Sequence, residues 1–360
     1  MSQEKPAAGL RESPGGADVD PVKLSLWMRD HIPGFRGEID VRQFAGGQSN
    51  PTFLVQAGDR RFVLRRKPPG KLLPSAHAVD REFRVLAALN GSDVPVARVY
   101  ALCEDPDVLG SAFYVMDYVE GRIFWDAALP ETEPAQRAPI YMEMVRVLAA
   151  LHALDYGAIG MASFGKPGAF IERQVALWTR QYRAAETERI DDMERLSEWL
   201  PRHIPAREQS SIVHGDFRLD NAIFHPTEPR ILAVLDWELS TIGHPLVDFA
   251  FFCMRYRLSS AEFQGLGGLD LSLMLIPSEA ECAAAYCRIR GIEPISAQDW
   301  AYYLAFCMFR MASILQGILS RALQGNASSA HALAAGRRAR PLAQMGWQLV
   351  QESYPGDGRA

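Results

Sequence analysis

The hydrophobic period of this chain changes part-way along, and that change limits what it can fold into. Between residues 39 and 66, apolar and polar side chains alternate in IDVRQF, TFLVQA and RFVLRR, joined by GGQSNP and GDR. A period of two sends successive side chains to opposite faces of a strand, and short Gly-bearing connections close hairpins, so a three-stranded antiparallel meander is expected. DREFRVLAALN (80–90) spaces Phe83, Leu86 and Leu89 as a helix does, after which VARVYALC and AFYVMDYV return to the strand pattern. Beyond Gly121 the spacing turns helical over roughly 134–154, 170–187, 191–199, 245–257, 278–290, 297–323 and 331–353, with strand pattern only in SSIVHG and RILAVLDW. The expectation is an α+β chain of two lobes. Residues 19–119 form a small antiparallel-sheet lobe of five strands and one inserted helix, and residues 120–360 form a mainly helical lobe. The long βαβ alternation of a dinucleotide-binding fold is missing.

Ahead of the sheet, Asp20 followed by Pro21 opens a helix, with a capping carboxylate before a residue whose fixed φ suits the first turn, and Leu24, Trp27 and Met28 form its apolar stripe. Residues 1–18 are too poor in large apolar groups to offset the entropy of ordering, so a disordered tail is expected. With 360 residues, 48% of them hydrophobic, the chain can bury a substantial core. A net charge of −5 gives no basic footprint, which argues against nucleic acid as a partner. Cys103, Cys253, Cys282, Cys287 and Cys307 are odd in number and lack CxxC spacing, as in a reduced thiol set. The N-terminus has no apolar core of a secretion signal, and no run of about 18 uncharged apolar residues suggests a membrane span. The location expected is the cytoplasm. Oligomeric state is not readable from the sequence.

The chemistry concentrates in IVHGDFRLDNAIF, 212–224. Asp216 and Asn221 fall in a loop after a short apolar strand, and Asp236 ends the next strand, in AVLDWE. Three oxygen-bearing side chains on neighbouring strand ends suit a hard divalent cation that keeps water and phosphate oxygens in its shell. One of them can instead act as a base: Asp216 accepting the proton of an attacking hydroxyl, while Asn221 and Asp236 hold Mg²⁺ against a nucleotide phosphate.

His214-Gly215-Asp216, with Asn221 five residues after the aspartate and Asp236-Trp237-Glu238 beyond, resembles the catalytic loop and metal-binding triplet of the aminoglycoside phosphotransferase family, a branch of the protein-kinase-like fold. The resemblance runs from about residue 20 onward. It implies an enzyme, an ATP- and Mg²⁺-dependent kinase of small molecules, with Asp216 as base, Asn221 and Asp236 as metal ligands and His214 supporting the loop. Gly46, Gly47, Gln48, Ser49 and Asn50 resemble the family's phosphate-covering loop. On the next strand the alternation puts Val63, Arg65 and Lys67 on one face and Phe62, Leu64 and Arg66 on the other. Arg65 is the expected phosphate-facing cation, where a typical kinase has Lys, with Lys67 second and Glu82 its partner. Met116, Asp117, Tyr118 and Val119 resemble the hinge that holds adenine. Arg218 is expected either to neutralise the transferring phosphoryl group or to pair with Asp220. Asp248 is expected to brace the loop, His152 to be a packing residue, and His244 has no role assigned.

The combination of VLRRKPPGKLLPSAHAVDREFRVL with VLDWELSTIGHPLVDFAFF resembles more narrowly the kinase-like domain joined to acyl-CoA dehydrogenase modules in some animal mitochondrial proteins, and its stand-alone bacterial counterparts. Those relatives imply a 4-hydroxyacyl-CoA thioester as the hydroxyl acceptor. An aminoglycoside- or choline-type kinase and a non-catalytic, nucleotide-binding pseudokinase are the alternatives. The acidic lining expected around a polycationic acceptor is not evident after residue 257, where apolar side chains dominate.

Overall fold

The computed structural model describes residues 10–11, 19–44, 50–68, 78–325 and 331–355. The chain divides into two compact units. The first comprises residues 1–123, 158–161 and 222–240, and the second 124–157, 162–221 and 241–360.

The first unit is built on an antiparallel sheet in the order β1-β2-β3-β4-β6-β5. Its strands are β1 (Leu10–Arg11), β2 (Asp40–Phe44), β3 (Thr52–Ala57), β4 (Arg60–Arg66), β5 (Val99–Cys103) and β6 (Phe113–Asp117). Five lie where alternation placed them. The sixth, β1, falls within the stretch expected to be a tail and pairs Leu10 with Phe44. An edge strand needs only backbone hydrogen bonds, which composition does not report. Period two then decides the faces. Phe53, Val55, Phe62, Leu64, Phe113 and Val115 pack on Leu24, Trp27 and Met28 of the helix Pro21–His31. That helix starts as expected, with the Asp20 carboxylate accepting from the N–H groups of Val22 and Lys23. On the opposite face the helix Val79–Leu89 buries Val79, Glu82, Val85, Leu86 and Leu89, a stripe shifted from the one anticipated because Phe83 is only half-buried.

Residues 222–240 supply a hairpin of β8 (Ala222–Phe224) and β9 (Ile231–Val234), reached after β7 (Ser211–Val213) of the second unit. Arg122 and Phe224 exchange both backbone hydrogen bonds at 2.8 Å, and the Arg122 side chain donates to the carbonyls of His225 and Glu228. The Val234 N–H donates to Pro95. These bonds place 120–123 and the hairpin in the first unit, so the division differs from the single boundary expected at 119/120. Gly121 permits the approach: a Cβ there would lie 2.2 Å from the Phe224 carbonyl oxygen.

The second unit is mainly helical. Pro134–Ala153, Phe170–Ala185, Asp191–Trp199, Pro245–Cys253, Glu279–Arg290 and Ala297–Leu323 match the spacing closely, and the last expected helix is two pieces, Ala332–Gly336 and Ala339–Ser353. Ala297–Leu323 is long and apolar enough to cross a membrane by composition, but 61% of its most apolar window is buried within the protein, as in a core helix. The pair β7 and β10 (Thr241–Gly243) completes the unit; β8 and β10 fall outside the expected strands, whereas β7, equally short, lies in SSIVHG. All five cysteines are free and buried.

Replacing Gly121 by Ala puts a methyl group against a backbone oxygen that cannot move without breaking the Arg122–Phe224 bridge. A loss of about 1–3 kcal/mol of stability is expected, read from urea denaturation; wild-type stability in that variant would show that the bridge yields.

Candidate active site

The strand pattern of β4 determines where its cation goes. Arg65 pairs in register with Thr52 on β3 and Tyr114 on β6, on the sheet face that carries the helix Val79–Leu89. Its Nε lies 2.7 Å from Glu82 Oε2 and its Nη2 lies 2.8 Å from Asp236 Oδ1. Glu82 is 1% exposed and is also hydrogen-bonded by Asn50 Nδ2 at 2.8 Å and Tyr114 Oη at 3.0 Å. Burial pushes the Glu82 carboxyl up, against the pull of the Arg65 guanidinium. Burial alone would lower the Arg65 pKa, but the carboxylates of Glu82 and Asp236, with Tyr114 beside them, raise it, so Arg65 stays charged. A guanidinium offers two nitrogens in a fixed fork, so one residue reaches both carboxylates; a Lys ammonium is a single point. Asp236 follows β9 with φ of 63°, a left-handed conformation that Asp adopts more readily than most residues. The turn is held by Trp237 Nε1 donating to Val234 and Ser240 Oγ donating to Trp237.

The loop 214–221 lies in the second unit after β7 and ends in a single 3₁₀ turn, Leu219–Asn221. Asp248, on the helix Pro245–Cys253, accepts from the N–H of His214 at 2.6 Å and of Gly215 at 2.9 Å. Asp248 Oδ2 lies 3.3 Å from His152 Nε2, and His152 Nδ1 lies 2.7 Å from Tyr286 Oη. Burial opposes charge on both members. It pushes His152 down and neutral, whereas hydrogen bonds from His152 and the loop outweigh it at Asp248 and hold that carboxyl low. The neutral ring therefore donates from Nε2 to a carboxylate and accepts from the Tyr286 hydroxyl. His152 is a packing residue and Asp248 a brace, as expected.

Within the loop, Gly215 has φ of 86°, which glycine adopts without strain. The Asp216 N–H meets His214 Nδ1 at 3.2 Å, and Asn221 Nδ2 donates to the carbonyl and the carboxylate of Asp216 at 2.9 and 3.1 Å. Arg218 bridges Asp216 and Asp220 at 3.2 and 3.1 Å, and Arg255 approaches Asp220 at 3.6 Å. Arg218 thus makes the Asp220 pair and also contacts the residue expected as base. His244 stacks on Tyr303 and sits 3.0 Å from the Arg207 carbonyl.

Gly46, Gly47, Gln48 and Ser49 lie outside the described residues. Asn50 is buried, and its side-chain amide serves Glu82. Met116 is 9% exposed. At the expected hinge the Asp117 N–H donates to Arg98 and the Tyr118 N–H to Arg61, while the Asp117 carboxylate receives the Tyr100 hydroxyl. The N–H donors of two expected adenine-binding residues are thereby engaged within the first unit. Neither Tyr114 nor Arg310 was legible as a site residue beforehand. A buried tyrosine in a strand reads as core, and Arg310, whose Nη2 donates to the Gly215 carbonyl at 3.0 Å, lies 95 residues from its partner.

Residues 40–285 match the model of the phosphotransferase enzyme family. The chain belongs to that family. A solved structure from Ralstonia eutropha, provisionally described as an aminoglycoside phosphotransferase, is 52% identical with a TM-score of 0.86, covering 92% of this chain and 98% of its own. Acyl-CoA dehydrogenase family member 10 of Mus musculus is 48% identical over 87% of this chain and 29% of its own length. Acyl-CoA dehydrogenase family member 11 of Homo sapiens is 42% identical over 93% and 44%. The chain thus spans less than half of these two curated relatives. The fold is the protein-kinase-like α+β fold, and the chain is similar to part of acyl-CoA dehydrogenase family members 10 and 11.

For this phosphotransferase the His152–Asp248 pair sets an acid limit on stability. A His with a lowered folded-state pKa contributes stability that is complete above its unfolded value near 6.5 and is lost as the pH falls below it. Asp248 adds a second loss below about pH 4, as the pH falls through its depressed folded-state value. Melting temperature should fall from pH 7 to 5, and His152→Gln should flatten that slope; an unchanged slope would place the acid sensitivity elsewhere.

Proposed function

We propose that this chain transfers the γ-phosphoryl group of ATP, with Mg²⁺, to the hydroxyl of a small molecule, and that a 4-hydroxyacyl-CoA thioester is the acceptor. Family membership supports phosphoryl transfer to a small molecule. The observation that carries the nucleotide reading is Arg65, held by buried Glu82 and by Asp236, a charge arrangement suited to a triphosphate and costly for a core to keep without one. The thioester reading is supported by the two relatives, whose names link them to acyl-CoA.

In this reading Asp216 takes the hydroxyl proton as the acceptor oxygen bonds to the γ-phosphorus and the bond to the leaving ADP breaks. Arg218, in contact with Asp216, offsets charge on the moving phosphoryl group. Asn221 and Asp236 would each offer an oxygen to a divalent ion. The Asn221 NH₂ is donated to Asp216, so its oxygen is the atom it has to offer, and the Asp236 carboxylate is 34% exposed. One amide oxygen and one carboxylate suit Mg²⁺, which keeps waters and phosphate oxygens for the rest of its shell. Bound there, the ion would neutralise charge on the β- and γ-phosphates. Arg65 fixes the phosphates and Val119 offers its N–H to the adenine.

Asp216→Asn is expected to lower kcat by at least about 10²-fold while nucleotide still binds, and Asp236→Ala to weaken Mg²⁺-nucleotide binding as well, both read by turnover and calorimetric titration. Wild-type rates in either variant would remove that role. An ATP-consumption screen over 4-hydroxyacyl-CoAs, free hydroxy acids, kanamycin and choline tests the acceptor. Turnover of kanamycin or choline without turnover of thioesters would overturn the thioester reading, and nucleotide binding with no acceptor turned over would favour the pseudokinase.

A further inference from the structure

We infer that Arg310 is a positioning residue for phosphoryl transfer, acting by locking the peptide plane between Gly215 and Asp216. The inference rests on the reading of Asp216 as the base.

The direction of the Asp216 side chain depends on the peptide that precedes it. That peptide follows a glycine at φ of 86°, and glycine has no Cβ to restrict the rotation. Flipping the plane exchanges the directions of the Gly215 carbonyl and the Asp216 N–H and swings the carboxylate with them. Both ends of this plane are held. The Asp216 N–H meets His214 Nδ1 at 3.2 Å, and the Gly215 carbonyl accepts from Arg310 Nη2 at 3.0 Å. Asp248 secures the N–H groups of His214 and Gly215, two peptides and one peptide earlier, so it does not replace the Arg310 contact.

Arg310 is itself held in place. It lies mid-way along the core helix Ala297–Leu323, with its guanidinium carbon 5.6 Å from the Trp178 ring centroid and 5.5 Å from that of Phe251. Two aromatic faces restrain a cation and reduce the freedom it loses on making a hydrogen bond. Three helices, Phe170–Ala185, Pro245–Cys253 and Ala297–Leu323, therefore meet at the side chain that fixes this one carbonyl.

The test compares Arg310→Met, which preserves helix propensity and apolar volume, with Arg310→Lys, which restores a cationic donor. Arg310→Met should lower kcat by about 10- to 100-fold, as for a reacting group displaced by about 1 Å, with KM for ATP unchanged and amide exchange at residues 214–217 faster than in wild type. Arg310→Lys should recover most of both losses. If Arg310→Met keeps kcat within about twofold of wild type while Asp216→Asn is inactive, the positioning role is wrong and the base assignment stands. If Asp216→Asn remains active, the base reading fails, and amide exchange alone then reports whether Arg310 holds the peptide. Equal loss of kcat and ATP affinity, without recovery in Arg310→Lys, would assign Arg310 to core packing and overturn the inference.

Discussion

The buried pair of Arg65 and Glu82 is the constraint around which the first unit is arranged. Two charges taken out of water cost several kcal/mol each unless they find one another and fill their remaining hydrogen-bonding capacity. Here Glu82 collects Arg65, Asn50 and Tyr114, and Arg65 collects Glu82 and Asp236. Each partner comes from a different place in the first unit: the entry to β3, the helix Val79–Leu89, β6, and the turn after β9. The pair therefore ties together the register of the sheet, the seating of its helix and the return of a hairpin from far along the chain. A cation in a sheet core is otherwise a destabilising feature; held in this way it remains charged and oriented.

The second unit treats its own buried charge similarly. Asp248 takes a carboxylate into a fully enclosed setting and answers its cost with two backbone N–H groups and a neutral imidazole. No counter-charge is needed when the donors are aimed in advance. The result is a loop shaped by groups outside it, on helices that precede and follow it in sequence, which leaves Asp216, Arg218 and Asn221 to interact among themselves.

Much of this was legible in the sequence, for physical reasons that differ from element to element. Strands β2 to β4 declare themselves because β-branched and aromatic side chains alternate with polar ones between short Gly-bearing turns, and the Asp20 cap does so because helix starts need an acceptor. Alternation puts Arg65 and Lys67 on one face, and the place of Lys67 just before Pro68 and Pro69 favoured Arg65; Glu82 followed from the order of motifs. Strands β8 and β10 escaped notice, although β7, equally short, was legible in SSIVHG. Hidden too was the hairpin's membership of the first unit, which depends on Gly121 allowing two backbones to touch. The second roles of Asn50 and Tyr114 were masked because a buried polar group and a core residue look alike in a string of letters. Arg310 shows the same limit at longer range: its partner is a carbonyl, and carbonyls have no letter.

The backbone bridge between Arg122 and Phe224 bears on how such a chain can be recombined. Because residues 222–240 belong with the sheet that precedes them by a hundred positions, the polypeptide has no single cut point at which one half could be exchanged for that of a relative. A crossover anywhere between 124 and 221 would join one parent's Arg65 to the other's Asp236, and one parent's Gly121 to the other's Phe224. Inheritance in this architecture is thus interleaved, and lineages that shuffle it successfully must carry the distant hairpin together with the sheet it completes.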